Sequence, residues 1–177
     1  MKKSMMTGLV FLVSSLATTF SSNAFASGSD IDSFLASLKG HWSGQGTLSE
    51  LQNNGEVEDT RYDIDVEVSE EVFDKKFDFH SSIRTEHHIT RIDDMSYKVV
   101  GENLFVSTNS QTQPVNVVES TPVKLVYTIQ RAEFFTGRVF DFQFTYEYSA
   151  FKRLKGYTEI RVNKVLFSTD EYELRKH

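Results

Sequence analysis

Arg61-Tyr62-Asp63-Ile64-Asp65-Val66-Glu67-Val68 alternates without a break, with Tyr, Ile and Val on the even positions and charged residues on the odd ones. Successive side chains of a strand point to opposite faces, so this stretch carries one apolar and one fully charged face. That pattern suits an antiparallel strand with one side on a core and the other in water. Ahead of it Trp42, Gly44, Gly46 and Leu48 share one parity, and Asn53-Asn54-Gly55-Glu56 supplies the positive-φ residues of a tight turn. Residues 41–68 therefore read as a β-hairpin.

The same period continues outward. Phe73, Phe77, Phe79 and Ile83 fall on one side, with Asp74, Lys76, Asp78 and His80 on the other. A further strand is expected near His87–Ile92, a turn at Asp93-Asp94 leading into Ser96–Val100, and another at Gly101-Glu102-Asn103 leading into Leu104–Ser107. Residues 108–122 hold both prolines and many Ser, Thr, Asn and Gln, so they read as a loop with a brief edge strand at Val115, Val117 and Val118. Val123, Leu125, Tyr127 and Ile129 then alternate with Lys124, Thr128 and Gln130, and Phe140, Phe142, Phe144, Tyr146 and Tyr148 with Asp141, Gln143, Thr145 and Glu147. A last strand is expected over Tyr157–Phe167, with Gly137 and Gly156 at turns. Before the hairpin, Ile31, Phe34, Leu35 and Leu38 recur at helical spacing; Ser29 or Asp30 is the expected cap and Gly40 the terminator of a helix over Asp30–Lys39.

The expected fold is all-β: an antiparallel up-and-down β-barrel of about eight to ten strands with a short N-terminal helix. Closing the meander removes the exposed edges that an aromatic-rich sheet would otherwise offer to aggregation. A Greek-key sandwich is the alternative, and only residues 108–122 are long enough to supply its return connection.

Composition narrows the class. The chain has 177 residues, 25% charged and 13% aromatic, and no cysteine, which excludes a helical membrane bundle, a disordered chain and a disulfide or thiolate-metal scaffold. Lys2 and Lys3 precede a short apolar run over 5–17, and Ala24-Phe25-Ala26 gives a small-x-small end, the three parts of a signal peptide cleaved after Ala26. The expected organisation is thus a signal peptide over 1–26 and a single barrel domain over 27–177, periplasmic or secreted, with no stable membrane insertion after cleavage. Loss of two lysines moves the net charge from −6 to −8. An acidic chain without a basic patch is a poor partner for nucleic acid.

Leu38-Lys39-Gly40-His41-Trp42-Ser43-Gly44-Gln45-Gly46, following a short helix, resembles the opening of calycin-type barrels: lipocalins, fatty-acid-binding proteins and nitrobindin-like proteins. In those families a Gly-x-Trp begins the first strand and the tryptophan packs across the closed end; here Gly40 and Trp42 match that pair. The resemblance implies a barrel with an internal cavity for a small apolar molecule. It does not extend to every family feature. The only histidine after His88 is His177, so a late haem-ligating histidine is not carried over, and Arg161-x-Asn163 stands where fatty-acid-binding proteins have Arg-x-Tyr.

The expected function is non-covalent binding of a small hydrophobic or amphipathic molecule inside the barrel. Trp42 closes one end, Phe142, Phe144 and Tyr146 form a wall, and Tyr127 with Arg131 orients a polar head. Arg131 continues the parity of Val123, Leu125, Tyr127 and Ile129, and an inward guanidinium can hold a carboxylate through two parallel hydrogen bonds. Arg91 follows the same logic. For both, an arginine snorkelling to water at the mouth is the plainer alternative. For the aromatic row the plainer alternative is a barrel packed solid. Glycines 44 and 46 leave inward space that a neighbour or a ligand must fill.

No catalytic residues, metal site or cofactor are expected. His80, His87 and His88 read as surface residues, because neighbours on a strand face opposite sides and cannot converge on one ion. Ser43 is not in a Gly-x-Ser-x-Gly elbow, and Glu70-Glu71 and Asp93-Asp94 read as solvated turns. The competing function is a protein-interaction or envelope-assembly module with a filled barrel, its partner unidentified, carrying an exposed apolar patch near 108–122 or Phe134-Phe135.

Overall fold

The computed structural model describes residues 27–86, 90–108, 111–132, 136–149 and 151–177. The signal-peptide segment, His87, His88 and Phe134-Phe135 lie outside these. The described residues form one helix, α1 (Gly28–Ser37), and eleven strands: β1 (Gly40–Leu51), β2 (Val57–Glu71), β3 (Lys76–Thr85), β4 (Thr90–Val100), β5 (Asn103–Thr108), β6 (Gln111–Pro114), β7 (Asn116–Thr121), β8 (Lys124–Ala132), β9 (Val139–Ser149), β10 (Arg153–Val162) and β11 (Val165–Lys176). All pair antiparallel in a single sheet of order β6-β5-β4-β3-β2-β1-β11-β10-β9-β8-β7. The result is an up-and-down, nearly closed barrel.

Closure depends on residues 111–121. The brief edge strand expected there is β7 on β8, at the sheet edge, and the rest of the expected loop adds a second short strand, β6 on β5, running in the same direction. The chain changes partner at Val115, whose N–H still donates to Leu104 O at 3.0 Å. Pro114 lacks an N–H, so the ladder is interrupted next to the point where the partner changes. Helix α1 packs chiefly on β7 and also touches β4, β5 and β8, so it covers one end of this seam. Its buried face is Ile31, Phe34 and Leu35, and Ser27, rather than Ser29 or Asp30, supplies the cap.

Four further elements differ from expectation. Phe73 lies in the β2–β3 turn, fully exposed, not on the inner face of β3. Strand β4 runs straight through Asp93-Asp94. Inside it Asp93 pairs with Arg91 at 2.8 Å and Asp94 with His80 at 2.5 Å, so partners, not a turn, take up the charge. The expected last strand is two strands joined at Asn163-Lys164, both with positive φ, a rare conformation outside glycine. Gly156 lies within β10 and not at a turn. His177 is also tied down: its N–H donates to His41 O at 3.0 Å and its ring stacks on His41.

The core fills the barrel from the α1 end. Trp42, Leu104, Leu125 and Leu174 are almost wholly buried there beneath Ile31, Phe34, Leu35 and Leu38. Trp42 donates its Nε1–H to Leu38 O at 2.6 Å and meets Tyr148 edge to face.

Candidate functional site

Register places Tyr62 opposite Gly46, Gly46 opposite Tyr172, Tyr172 opposite Gly156 and Gly156 opposite Tyr146. Five adjacent strands therefore carry one row of alternating tyrosine and glycine across the inner face. A Cβ on Gly46 would lie 2.2 Å from the Tyr62 ring, and one on Gly156 2.1 Å from the Tyr172 ring. The inward space at Gly46 is filled by a neighbour, as when an aromatic ring covers a strand glycine. Tyr97, Tyr127 and Tyr146 complete the layer, with hydroxyl contacts of 2.8 Å between Tyr97 and Tyr127 and 3.3 Å between Tyr97 and Tyr146. Burial holds the phenols of Tyr97, Tyr127, Tyr146 and Tyr172 above the ordinary tyrosine pKa, so the layer stays neutral and hydrogen-bonded.

This layer divides the interior. On its far side from α1, Phe140, Phe142 and Phe144 stack as a ladder with 6.3 Å between successive ring centroids, and Phe144 stacks in turn on Tyr127 at 4.8 Å. Arg131, opposite Phe140 in the β8–β9 register, reaches over the Phe142 ring with its guanidinium 5.8 Å from the centroid. Its Nη2 donates to Thr108 Oγ1 at 3.3 Å, and the Gln113 carboxamide oxygen, in its satisfied orientation, accepts from Nε and Nη2 at 3.2 and 3.1 Å. Among the described residues no carboxylate pairs with Arg131. Partial burial lowers its pKa while the Tyr127 phenol opposes this, and at any physiological pH it is a cation held by neutral partners.

The sequence-predicted residues thus fall into three places. Phe142, Phe144 and Arg131 come together on the mouth side. Tyr127 and Tyr146 belong to the tyrosine layer, their hydroxyls turned to Tyr97. Trp42 lies beyond that layer under α1. Arg91 is inward-facing, opposite Ile83, and paired with Asp93.

Sequence reading missed the inner face of β11. Ser168, Asp170, Tyr172 and Leu174 alternate with Thr169, Glu171, Glu173 and Arg175, a period-2 signal past the expected end of that strand. Asp170 accepts a short hydrogen bond from the Tyr62 hydroxyl. Burial raises its pKa, more than the Tyr62 bond and the Arg91 charge lower it. Between the ordinary carboxylate value and this raised one the folded chain keeps a proton that the unfolded chain has released, so stability falls as pH rises through that window. Asp170→Asn, which keeps an acceptor for Tyr62, is expected to be more stable than the parent at neutral pH and no more stable at pH of about 3, where the carboxyl is protonated in both states. Urea denaturation at the two pH values checks this, and a variant less stable at neutral pH contradicts it.

The outer face over β1 carries a shallow concavity of about 670 Å³ bounded by Arg61, Asp63 and Arg84 on one flank and Lys155, Glu171 and Glu173 on the other. Charges of both signs flank it, and Gly46, Tyr62 and Tyr172 of the tyrosine–glycine row also line it. Among the described residues no group of three or more His, Asp or Glu converges to hold a metal ion. Neither a family model nor a curated protein matches the chain.

Proposed function

We propose that this protein is an exported, calycin-like barrel, acting in the periplasm or outside the cell after loss of residues 1–26, that binds a small amphipathic anion. Arg131 takes the anionic head and the Phe140–Phe142–Phe144 ladder takes the apolar body. The observation that carries this reading is the half-buried Arg131 guanidinium, lying over Phe142 and held, among the described residues, by the neutral side chains of Thr108 and Gln113. A half-buried cation whose partners among the described residues are all neutral is costly to keep from water, and an incoming carboxylate or sulfonate relieves that cost. The tyrosine layer sets the depth, so the apolar body is short.

Isothermal titration with the fatty acids from hexanoate to dodecanoate tests the reading. At least one is expected to bind, with Arg131→Met weakening it by about tenfold or more, the loss expected for a charge-assisted pair. Equal binding by the variant, or no binding by the parent, overturns it.

One observation favours an interaction module instead. Val57, Leu51 and Phe167 are exposed on neighbouring strands at the mouth rim, where Leu51 pairs with Val57 and follows the Glu50–Ser168 pair. Absence of fatty-acid binding together with co-purification of one protein, lost in Phe167→Glu, would favour that module.

A further inference from the structure

The mouth side of the barrel holds a second polar station. Ser168 and Asp170 are two residues apart on the inner face of β11. Ser168 is 3% exposed, and its hydroxyl has no hydrogen-bond partner among the described residues. Native proteins seldom leave a buried hydroxyl unpaired; Asp32, Thr85 and Ser120 carry the other such atoms among the described residues, and Ser168 is the one on β11 beside Asp170. Register joins both residues to the ladder: Ser168 lies opposite Ile160, which lies opposite Phe142, and Asp170 lies opposite Thr158, which lies opposite Phe144. Each is two strands from its phenylalanine, roughly 10 Å along the sheet. The Arg131 guanidinium sits at the Phe142 rung from the other direction.

The charges differ in sign between the two stations. Arg91 pairs with Asp93 and its charge also reaches Asp170, so the Asp170 carboxylate stands on the β11 side beside a cation and the Arg131 guanidinium on the β8 side, with stacked phenyl rings between them. We infer that Ser168 and Asp170 form the second contact of the same binding site, and that its ligand is bifunctional: a short amphiphile with an anionic group for Arg131 and an amine for Asp170 and Ser168. The ammonium donates to the Asp170 carboxylate and to Ser168 Oγ, giving the orphan hydroxyl its partner. Tyr62 already donates to Asp170 and fixes the carboxylate in place. Pairing at both ends makes the arrangement selective, since a ligand lacking the amine leaves the buried Ser168 hydroxyl unsatisfied.

This inference rests on the binding reading above, and the test separates the two. ω-Amino acids of the hexanoate to dodecanoate chain lengths are titrated against the matching fatty acids on the purified chain. For the best-fitting length the amino acid is expected to bind about tenfold more tightly than its fatty acid, as for one added charge-assisted hydrogen bond in a sheltered site. Asp170→Asn with Ser168→Ala should bring that ratio to about unity, while Arg131→Met weakens both series. Fatty acids and ω-amino acids binding equally, each dependent on Arg131, overturns the second station and leaves the anion site standing. A preference that survives the double variant also overturns it. Binding of neither series overturns both readings.

Discussion

Trp42→Ala is expected to lower the unfolding free energy by about 3–5 kcal/mol, the range for deleting a fully buried large aromatic. Trp42 has no exposed surface and touches three separate parts of the structure. Its Nε1–H binds Leu38 O at the end of α1, its ring meets Tyr148 on β9, and the Lys176 ammonium lies 5.3 Å above its face while donating to Ser37 O. Removal leaves a cavity under α1 and strips Leu38 O of its donor, which adds a desolvation cost of about 1 kcal/mol or more. Domains of this size have about 5–15 kcal/mol in total, so this one change removes a large share. Trp42→Phe, which keeps most of the volume, should lose clearly less. Urea denaturation of the three proteins gives the comparison. A Trp42→Ala loss below about 1 kcal/mol would mean that α1 is not anchored through this ring.

Gly156→Ala is expected to cost about 1–3 kcal/mol, although alanine is ordinarily better than glycine in a strand. The added methyl would stand 2.1 Å from the Tyr172 ring, so the ring, packed against the core in the tyrosine row, must shift to admit it. The clash is specific to one neighbour, which makes it separable. In a Tyr172→Ala background the same Gly156→Ala change should become neutral or stabilising, with a coupling energy of about 1 kcal/mol or more. Additive effects in this double-mutant cycle would show that the ring does not rest on Gly156.

The fold was legible wherever one face of a strand is charged and the other apolar. Residues 61–68 and 140–148 meet that condition, and their alternation matches the strands β2 and β9. Legibility failed for three physical reasons. The β4 strand hides its continuity because Asp93 and Asp94 find partners in Arg91 and His80, while in the sequence the two aspartates look like a solvated turn. In the 111–121 segment only the valines signalled a strand, which is β7; β6, made of Gln, Thr and Pro, is defined by its pairing with β5. Gly156 looks like a turn residue because its role depends on Tyr172, which is distant in the sequence and adjacent in the sheet. The candidate site followed the same rule: Phe142, Phe144 and Arg131 were visible, whereas Ser168 and Asp170 carry no apolar signal and become informative only through their register with the ladder.

The pairing of β1 with β11 also bears on how the barrel is made. In the sheet order the first and last strands are central neighbours and the middle of the chain supplies the two edges. The contact between Ser43 and His177 spans 134 residues of chain. Each half of the chain can build its own run of local hairpins, β1 to β6 and β7 to β11, before the halves meet. Joining them requires closing a loop nearly as long as the described chain, with an entropic cost that grows only slowly with loop length. Pairing of β1 with β11 is thus the longest-range step in assembling the barrel, while buried Val115, bonded to Leu104, holds the two edge strands together at the opposite side of the sheet.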